Sequence, residues 1–313
     1  MGRLATLSPL TSARLGNVMS FFLFNALNGL QLSMLIFLMA IGLTIIFGLM
    51  DTLNLAHGAF YMVGAYFGYA LFSTTGNFWI ALIIAPLLPL LLGFVLQYFV
   101  LQPLKDKGRS AHLDMALLTF GLLFFVIGVI DLIFFETLGL TFLSIDKPEF
   151  LRGAVNIGIL YPTYRLFIII IGLTVALSAW FVLERTVLGA VVRAGVDDNE
   201  MVRAMGINIY LVFALVFALG CGLAGFAGVV AGAELSIDVN MGVQILIPTL
   251  VVVILGGLGS VKGCFIGAII VGMTDTLSQA YLPEASTFAI YILLAATLIV
   301  RPLGLFGRPQ QTI

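Results

Sequence analysis

From Phe21 to Met50 the chain runs thirty residues without an acidic or basic side chain. A helix that crosses a bilayer needs about 20 mainly apolar residues, and a run this long has no stable place in water. It also outlasts the core of a signal peptide, roughly 7–15 residues. It therefore reads as a retained first helix that itself targets the membrane. Further apolar segments follow at 59–75, 79–101, 115–135, 165–183, 210–232, 244–257, 264–281 and 287–303. The segment at 244–257 is short enough to be half of a broken helix. The expectation is an all-α integral membrane protein with eight or nine transmembrane segments, forming one membrane domain over residues 1–313.

Composition narrows what such a domain can do. Hydrophobic residues make up 61% of the chain and charged ones 9%, against about 25% charged in soluble domains. The formal net charge of -1 supplies no basic field, so nucleic acid is not an expected partner and membrane lipid is. Cys221 and Cys264 lie in apolar, glycine-rich segments without metal-ligand spacing, and read as small packing residues. In "GGLGSVKG" Lys262 is followed by Gly263, so there is no phosphate loop, and Gly257, Gly259 and Gly263 do not fit the dinucleotide spacing. HExxH and GxSxG are absent, and His57 and His112 are the two histidines. Neither an enzyme nor an ATPase is expected in this chain, and no cofactor or metal.

Three connections are polar enough to lie in water: 103–114 with Lys105, Lys107 and Arg109; 136–164 with Pro148 and Pro162; and 184–209 with Arg185, Arg193, Asp197, Asp198, Glu200 and Arg203. Each charge in the last would cost roughly 2.5–3.5 kcal/mol at a bilayer centre. Placing the first and third connections inside puts nine basic residues inside and five outside. The positive-inside rule then gives a cytoplasmic C-terminus and an external N-terminus, with Arg3 and Arg14 accommodated among headgroups by a short interfacial helix.

The stretch "GLMDTLNLAHGAFYMVGAY" sets Asp51, Asn54 and His57 between two apolar segments. It is echoed at 252–272, "VVILGGLGSVKGCFIGAIIVG": each runs apolar helix, glycine, a polar interruption, glycine, then a glycine-spaced helix. Gly64 and Gly68 stand four apart, as do Gly263 and Gly267. In the topology above both stretches run the same way, so the echo predicts a parallel repeat. Interrupted helices in transporters free backbone groups to face a cavity, which would let these polar residues sit at membrane depth. An ordinary cytoplasmic turn at 51–58, with Asp51 and Asn54 as local caps, is the competing reading.

Ionisable residues inside spans are functional candidates by default. Here they are Asp131 and Asp275, with Glu136 and Glu234 at span ends. With His57 they would also suit a gradient-driven carrier, a second reading that the residues alone leave open. In the 184–209 connection, Asp197 or Asp198 can cap a short helix and Gly206 can end it in the left-handed conformation. Two turns are marginal alone in water, so this helix should dock on another protein.

At "GLTIIFGLMDTLNLAHGAFYMVGAY", "RAGVDDNEMVRAMGINIYLVFALVFALGCGLAGFAG" and "PTLVVVILGGLGSVKGCFIGA" the chain resembles the Liv-type permeases of branched-chain amino-acid ABC importers. The resemblance covers nearly its whole length. It implies a multi-pass permease in a bacterial inner membrane, paired with a second permease of the family, driven by cytoplasmic ABC ATPase subunits and supplied by a periplasmic substrate-binding protein. It implies a coupling helix to the ATPase at Asp198, Glu200, Met201, Arg203, Ala204, Met205 and Gly206. It implies a substrate path around Asn54, Ala56, His57, Gly58, Gly256, Gly257 and Gly259. Relatives often carry an acid after "AHG" where this chain has Ala59. Urea, short amides and aromatic or other carboxylates are carried by close relatives, and stand as alternatives to branched-chain amino acids.

Overall fold

The computed structural model describes residues 9–50, 54–105, 111–139 and 142–307. Asp51, Lys107, Arg109 and Arg308 lie outside them. Helices α1 (Pro9–Met50), α2 (His57–Thr75), α3 (Phe78–Ile84), α4 (Leu87–Leu96), α5 (Gln102–Lys105) and α6 (Ala111–Ile130) come first. A hairpin of β1 (Ala154–Asn156) and β2 (Leu160–Pro162) follows. Then come α7 (Thr163–Arg185), α8 (Val187–Asp197), α9 (Asn199–Ala204), α10 (Ile209–Gly232), α11 (Met241–Gly256), α12 (Val261–Tyr281) and α13 (Ser286–Val300).

Six helical stretches among the described residues are long and apolar enough to cross a membrane: Met19–Gly48, Phe78–Leu104, Leu113–Thr137, Thr163–Arg185, Ile209–Gly232 and Val261–Tyr281. That is fewer than eight or nine. The difference falls on three segments that are helical but fall short of that length and apolarity. Helix α11 has 16 residues and α13 has 15, while α2 is diluted by His57, three tyrosines and a Ser-Thr-Thr end. Pro86 does not interrupt the Phe78–Leu104 span, because α3, α4 and α5 continue one another, the last two through a π-helical stretch at Gln97–Leu101. The fold is all-α as expected, with one short β1–β2 hairpin among the described residues, antiparallel with Ala154 opposite Pro162. It lies in the polar 136–164 connection, where lipid imposes no helical rule.

Burial separates the centre from the rim. The apolar window of α1 is 78% buried and that of α10 56%, against 17–33% for the other four spans. Lipid is as apolar as leucine, so helices in it associate through close packing rather than hydrophobic burial, and small residues at crossings set the geometry. Gly42 and Gly220 provide the crossing of α1 and α10: a Cβ added to either would run into the other's carbonyl oxygen.

The contacts also fix direction. Helix α12 runs antiparallel to α1, since Gly29 faces Met273 and Gly48 faces Gly259. It is antiparallel to α11 as well, with Gly263 against Gly256 and Gly267 against Val252. Helix α10 is parallel to α2, through Gly64 with Gly225 and Gly68 with Val229, and antiparallel to α4, through Gly93 with Cys221 and Gly222 with Leu90. Helices α2 and α11 meet antiparallel, with Gly58 against Gly242 and Leu246, and Gly242 against Met62. Helices α1, α4 and α11 therefore point one way, and α2, α10 and α12 the other.

The order of packing repeats with the direction reversed. Helix α1 packs on α12 as α10 packs on α4, α2 on α10 as α11 on α1, and α6 on α2 as α13 on α11. The relation exchanges α1–α2 with α10–α11, and the glycine pairs Gly42/Gly220 and Gly58/Gly242 lie where exchanged helices touch. The two echoed sequence stretches do run in the same direction, each a helix, a turn and an antiparallel helix. They are nevertheless different parts of the architecture, because the first spans α1 and α2 whereas the second is the α11–α12 hairpin.

Candidate functional site

Helix α2 starts deep beside α1 rather than at its end. His57 Nε2 donates to the Met39 carbonyl at 3.1 Å, and a Cβ on Gly42 would lie 3.0 Å from its ring. Helix α1 nevertheless continues to Met50, eight residues beyond Gly42, which at 1.5 Å per residue is about 12 Å. The start of α2 thus lies about two turns back from the end of α1. Residues 51–53 lie outside the described residues. From Asn54 on, the Leu55 amide donates to Thr119 Oγ1 of α6 at 3.2 Å, and the His57 amide to the Asn54 carbonyl at 3.2 Å.

Polar atoms are left without partners at this point. Asn54 is 3% exposed and His57 fully buried. Among the described residues both amide atoms of Asn54 and Nδ1 of His57 lack a hydrogen bond. Each such buried group costs about 1–3 kcal/mol. Ala56 precedes α2 with no side-chain cap, and the first turn holds no acid. Opposite lies the start of α11, reached through 233–240, where Ile237 and Leu143 exchange backbone hydrogen bonds of 2.7 and 3.1 Å. Asp238 Oδ1 accepts from the Asn240 amide at 2.8 Å. The short helices α2 and α11 thus begin side by side in the interior, Gly58 touching Gly242.

The expected path residues fall into two groups. Asn54, Ala56, His57 and Gly58 come together at this junction. Gly256, Gly257 and Gly259 do not join them, since Gly256 is ten residues beyond Leu246, about 15 Å along the helix. They form a crossing of backbones: Gly256 lies against Gly263, Gly257 (φ 101°) against Gly307, and Gly259 against Gly48. The segment after α13 joins there, with the Leu305 and Phe306 amides donating to the Leu255 and Gly256 carbonyls at 2.8 and 3.0 Å. Gly242, Gly42, Gly220 and Thr119 belong to the junction and were not singled out in the sequence. The glycine richness of α10 was the visible signal, but glycine is frequent throughout this chain.

The 184–209 connection forms two helices rather than one. Asp198 caps α9 by accepting from the Met201 amide at 2.9 Å. At the other end Gly206 adopts φ 84°, its amide donates to the Arg203 carbonyl at 2.9 Å, and the Ile207 amide donates to the Val202 carbonyl at 3.4 Å. Paired bonds of this kind close a helix end. Val202 is buried, while Met201 and Met205 are 63% and 70% exposed, and Glu200 and Ala204 are exposed too. Arg203 Nη1 donates to the Tyr210 hydroxyl at 3.1 Å, and the guanidinium lies 4.9 Å from that ring. The helix is thereby tied to the first turn of α10.

Of the ionisable candidates, Glu234 accepts from Lys147 Nζ and Arg165 Nε, each at 2.7 Å, at the hairpin end of the bundle. Asp131 and Asp275 are half-buried and Glu136 exposed. None of these three is in an ion pair among the described residues.

Six spanning helices around a glycine-lined crossing of α1 and α10 define a multi-pass membrane protein. Residues 25–300 match the family described as branched-chain amino acid transport system, permease component, and the chain belongs to that family. It is 28% identical to the Escherichia coli high-affinity branched-chain amino acid transport system permease protein LivH, over 93% of this chain and 97% of that one. It is 25% identical to the BraD permease protein of Pseudomonas aeruginosa, over 92% and 97%. The E. coli permease protein LivM is 27% identical, over 89% of this chain and 70% of LivM. No solved structure matches.

Proposed function

We propose that this protein is the translocating subunit of an ABC importer for branched-chain or related amino acids. The observation that carries this reading is the family match over residues 25–300. In this reading it sits in a bacterial inner membrane, with 198–206 and the C-terminus cytoplasmic and the β1–β2 hairpin external. Helices α2, α11 and α13 are partial or short spans, which brings the count to nine. A second permease of the family completes the path, ATPase subunits power it and an external binding protein delivers the substrate. The similarity to both LivH and LivM supports a partner of the same family.

The path runs between the starts of α2 and α11, and Asn54, Ala56, His57 and Gly58 line it. Gly256, Gly257 and Gly259 serve it as the tight turn against which α1 and the C-terminal segment close. Helix α9 couples it to ATP hydrolysis: Met201, Met205, Glu200 and Ala204 face the ATPase, while Asp198 and Gly206 hold the helix ends. Arg203, bound to Tyr210, passes the motion into α10. Since α10 crosses α1 at Gly42/Gly220, a tilt there reaches the junction directly.

The test is to tag the C-terminus, extract the protein gently and identify what co-purifies, then measure leucine uptake by the recovered complex in proteoliposomes. A P-loop ATPase, a second permease and ATP-dependent uptake are expected. Uptake driven by an ion gradient without ATP would overturn the reading. In the same assay Ala204→Pro, whose ring removes the last amide of α9 and crowds the Glu200 carbonyl one turn back, should cut uptake at least about ten-fold. Arg203→Glu should also impair it, with membrane levels of both variants unchanged on immunoblots. Normal uptake in both would remove α9 from the mechanism.

A further inference from the structure

We infer that the junction of α2 and α11 recognises the carboxylate of the transported solute, with the Asn54 amide and the uncapped first turn of α2 as its donors. The inference rests on the importer reading above and adds to it the substrate group that the path itself reads. A helix start carries a partial positive charge of about one half from its aligned peptide dipoles. At α2 no side chain among the described residues caps it: Ala56 offers no cap and the first turn has no acid. At α11 Asp238 is close by and already holds the Asn240 amide. The positive end left open to an anion is therefore that of α2.

Asn54 supplies the second, independent observation. It stands three residues ahead of His57, 3% exposed, with both amide atoms unpartnered among the described residues. Buried polar side chains are nearly always bonded, and one that is not needs a reason. A ligand that arrives only when Gly58 and Gly242 separate is such a reason. A carboxylate can accept from the Asn54 side-chain amide and from the Gly58 N–H together, as anions do at helix starts elsewhere; the His57, Ala59 and Phe60 amides are already held by the Asn54 and Ala56 carbonyls. Asn54 would be a binding residue, and His57, locked to Met39, a positioning one.

The test uses the whole complex with its binding protein in proteoliposomes, and compares Asn54→Asp with Asn54→Leu. Losing a hydrogen bond to a charged group predicts leucine uptake reduced about ten-fold or more in Asn54→Leu. Asn54→Asp, which keeps the shape but sets carboxylate against carboxylate, should fall further still. Equal loss in the two variants, or Asn54→Asp within two-fold of wild type, would overturn the inference while leaving the importer reading intact. Should either variant fail to fold, the wild-type permease and ATPase complex without its binding protein still decides: leucine should raise its melting temperature and leucinamide, which lacks the carboxylate, should not. Equal effects of the two would overturn the inference. Uptake of urea or a simple amide with no uptake of leucine would instead overturn the substrate reading itself.

Discussion

Gly64→Ala is expected to be among the most damaging single-methyl changes in this protein, costing about 3 kcal/mol or more. The added Cβ would fall far inside van der Waals contact of the Gly225 backbone, where carbon atoms normally stay about 3.5–4.0 Å apart. Helix α2 cannot slide away along α10, because Gly228 is pressed in the same manner against the Tyr61 carbonyl one turn earlier. The two helices would have to separate along a contact that fixes where α2, and with it Asn54 and His57, stands. Gly121→Ala in α6 is the control, since nothing lies within 4 Å of its added Cβ. There the alanine should be neutral or stabilising by about 0.5–1 kcal/mol through helix propensity. Melting of the detergent-solubilised protein, followed by size-exclusion chromatography, separates the cases. Similar melting temperatures for both variants would refute the packing described for α2 and α10.

Glu234→Ala should be the most destabilising loss of a charged side chain. Glu234 sits at the end of α10 with its side chain 7% exposed, between Lys147 and Arg165. Arg165 also donates through Nη1 to Asn28 Oδ1 at 2.8 Å, and Lys147 lies 4.9 Å from the Tyr164 ring. The cluster therefore ties α1, α7, α10 and the 142–151 segment together. Removing the acid leaves two cations facing each other, 30% exposed each. Breaking a fully buried pair costs about 3–5 kcal/mol. The water reaching these cations lowers the expectation to about 2–3 kcal/mol. Glu234→Gln, which keeps the shape and the acceptor oxygen, should lie between. A change below about 0.5 kcal/mol for Glu234→Ala would place this cluster with weak surface pairs.

Helix α9 and the junction differ in how far local residues determine them. Asp198 and Gly206 cap α9 from within eight or nine residues of chain, so its ends were legible in the sequence. Its link to α10 through Arg203 and Tyr210 spans seven residues and was not singled out, because nothing in the local pattern says which side the guanidinium takes. The polar run at 51–58 was legible as an interruption. Its depth was not, since it depends on contacts with Met39 and Thr119, which are distant in the chain.

Length and apolarity alone determined that this chain lives in a membrane and where most of its long helices lie to within a few residues, although α1 begins at Pro9, well before the apolar run from Phe21. The physical reason is that a bilayer penalises every charge and every unpaired peptide group locally, so the record is written residue by residue. Which glycines matter was decided only by the tertiary structure. Gly64 and Gly121 look alike in sequence, yet one abuts a neighbouring backbone and the other faces open space. The same holds for the repeat: the sequence echo pairs α1–α2 with α11–α12, while packing exchanges α1–α2 with α10–α11. Helix crossings in lipid depend on the complementarity of two surfaces, and that is a property of the pair rather than of either helix.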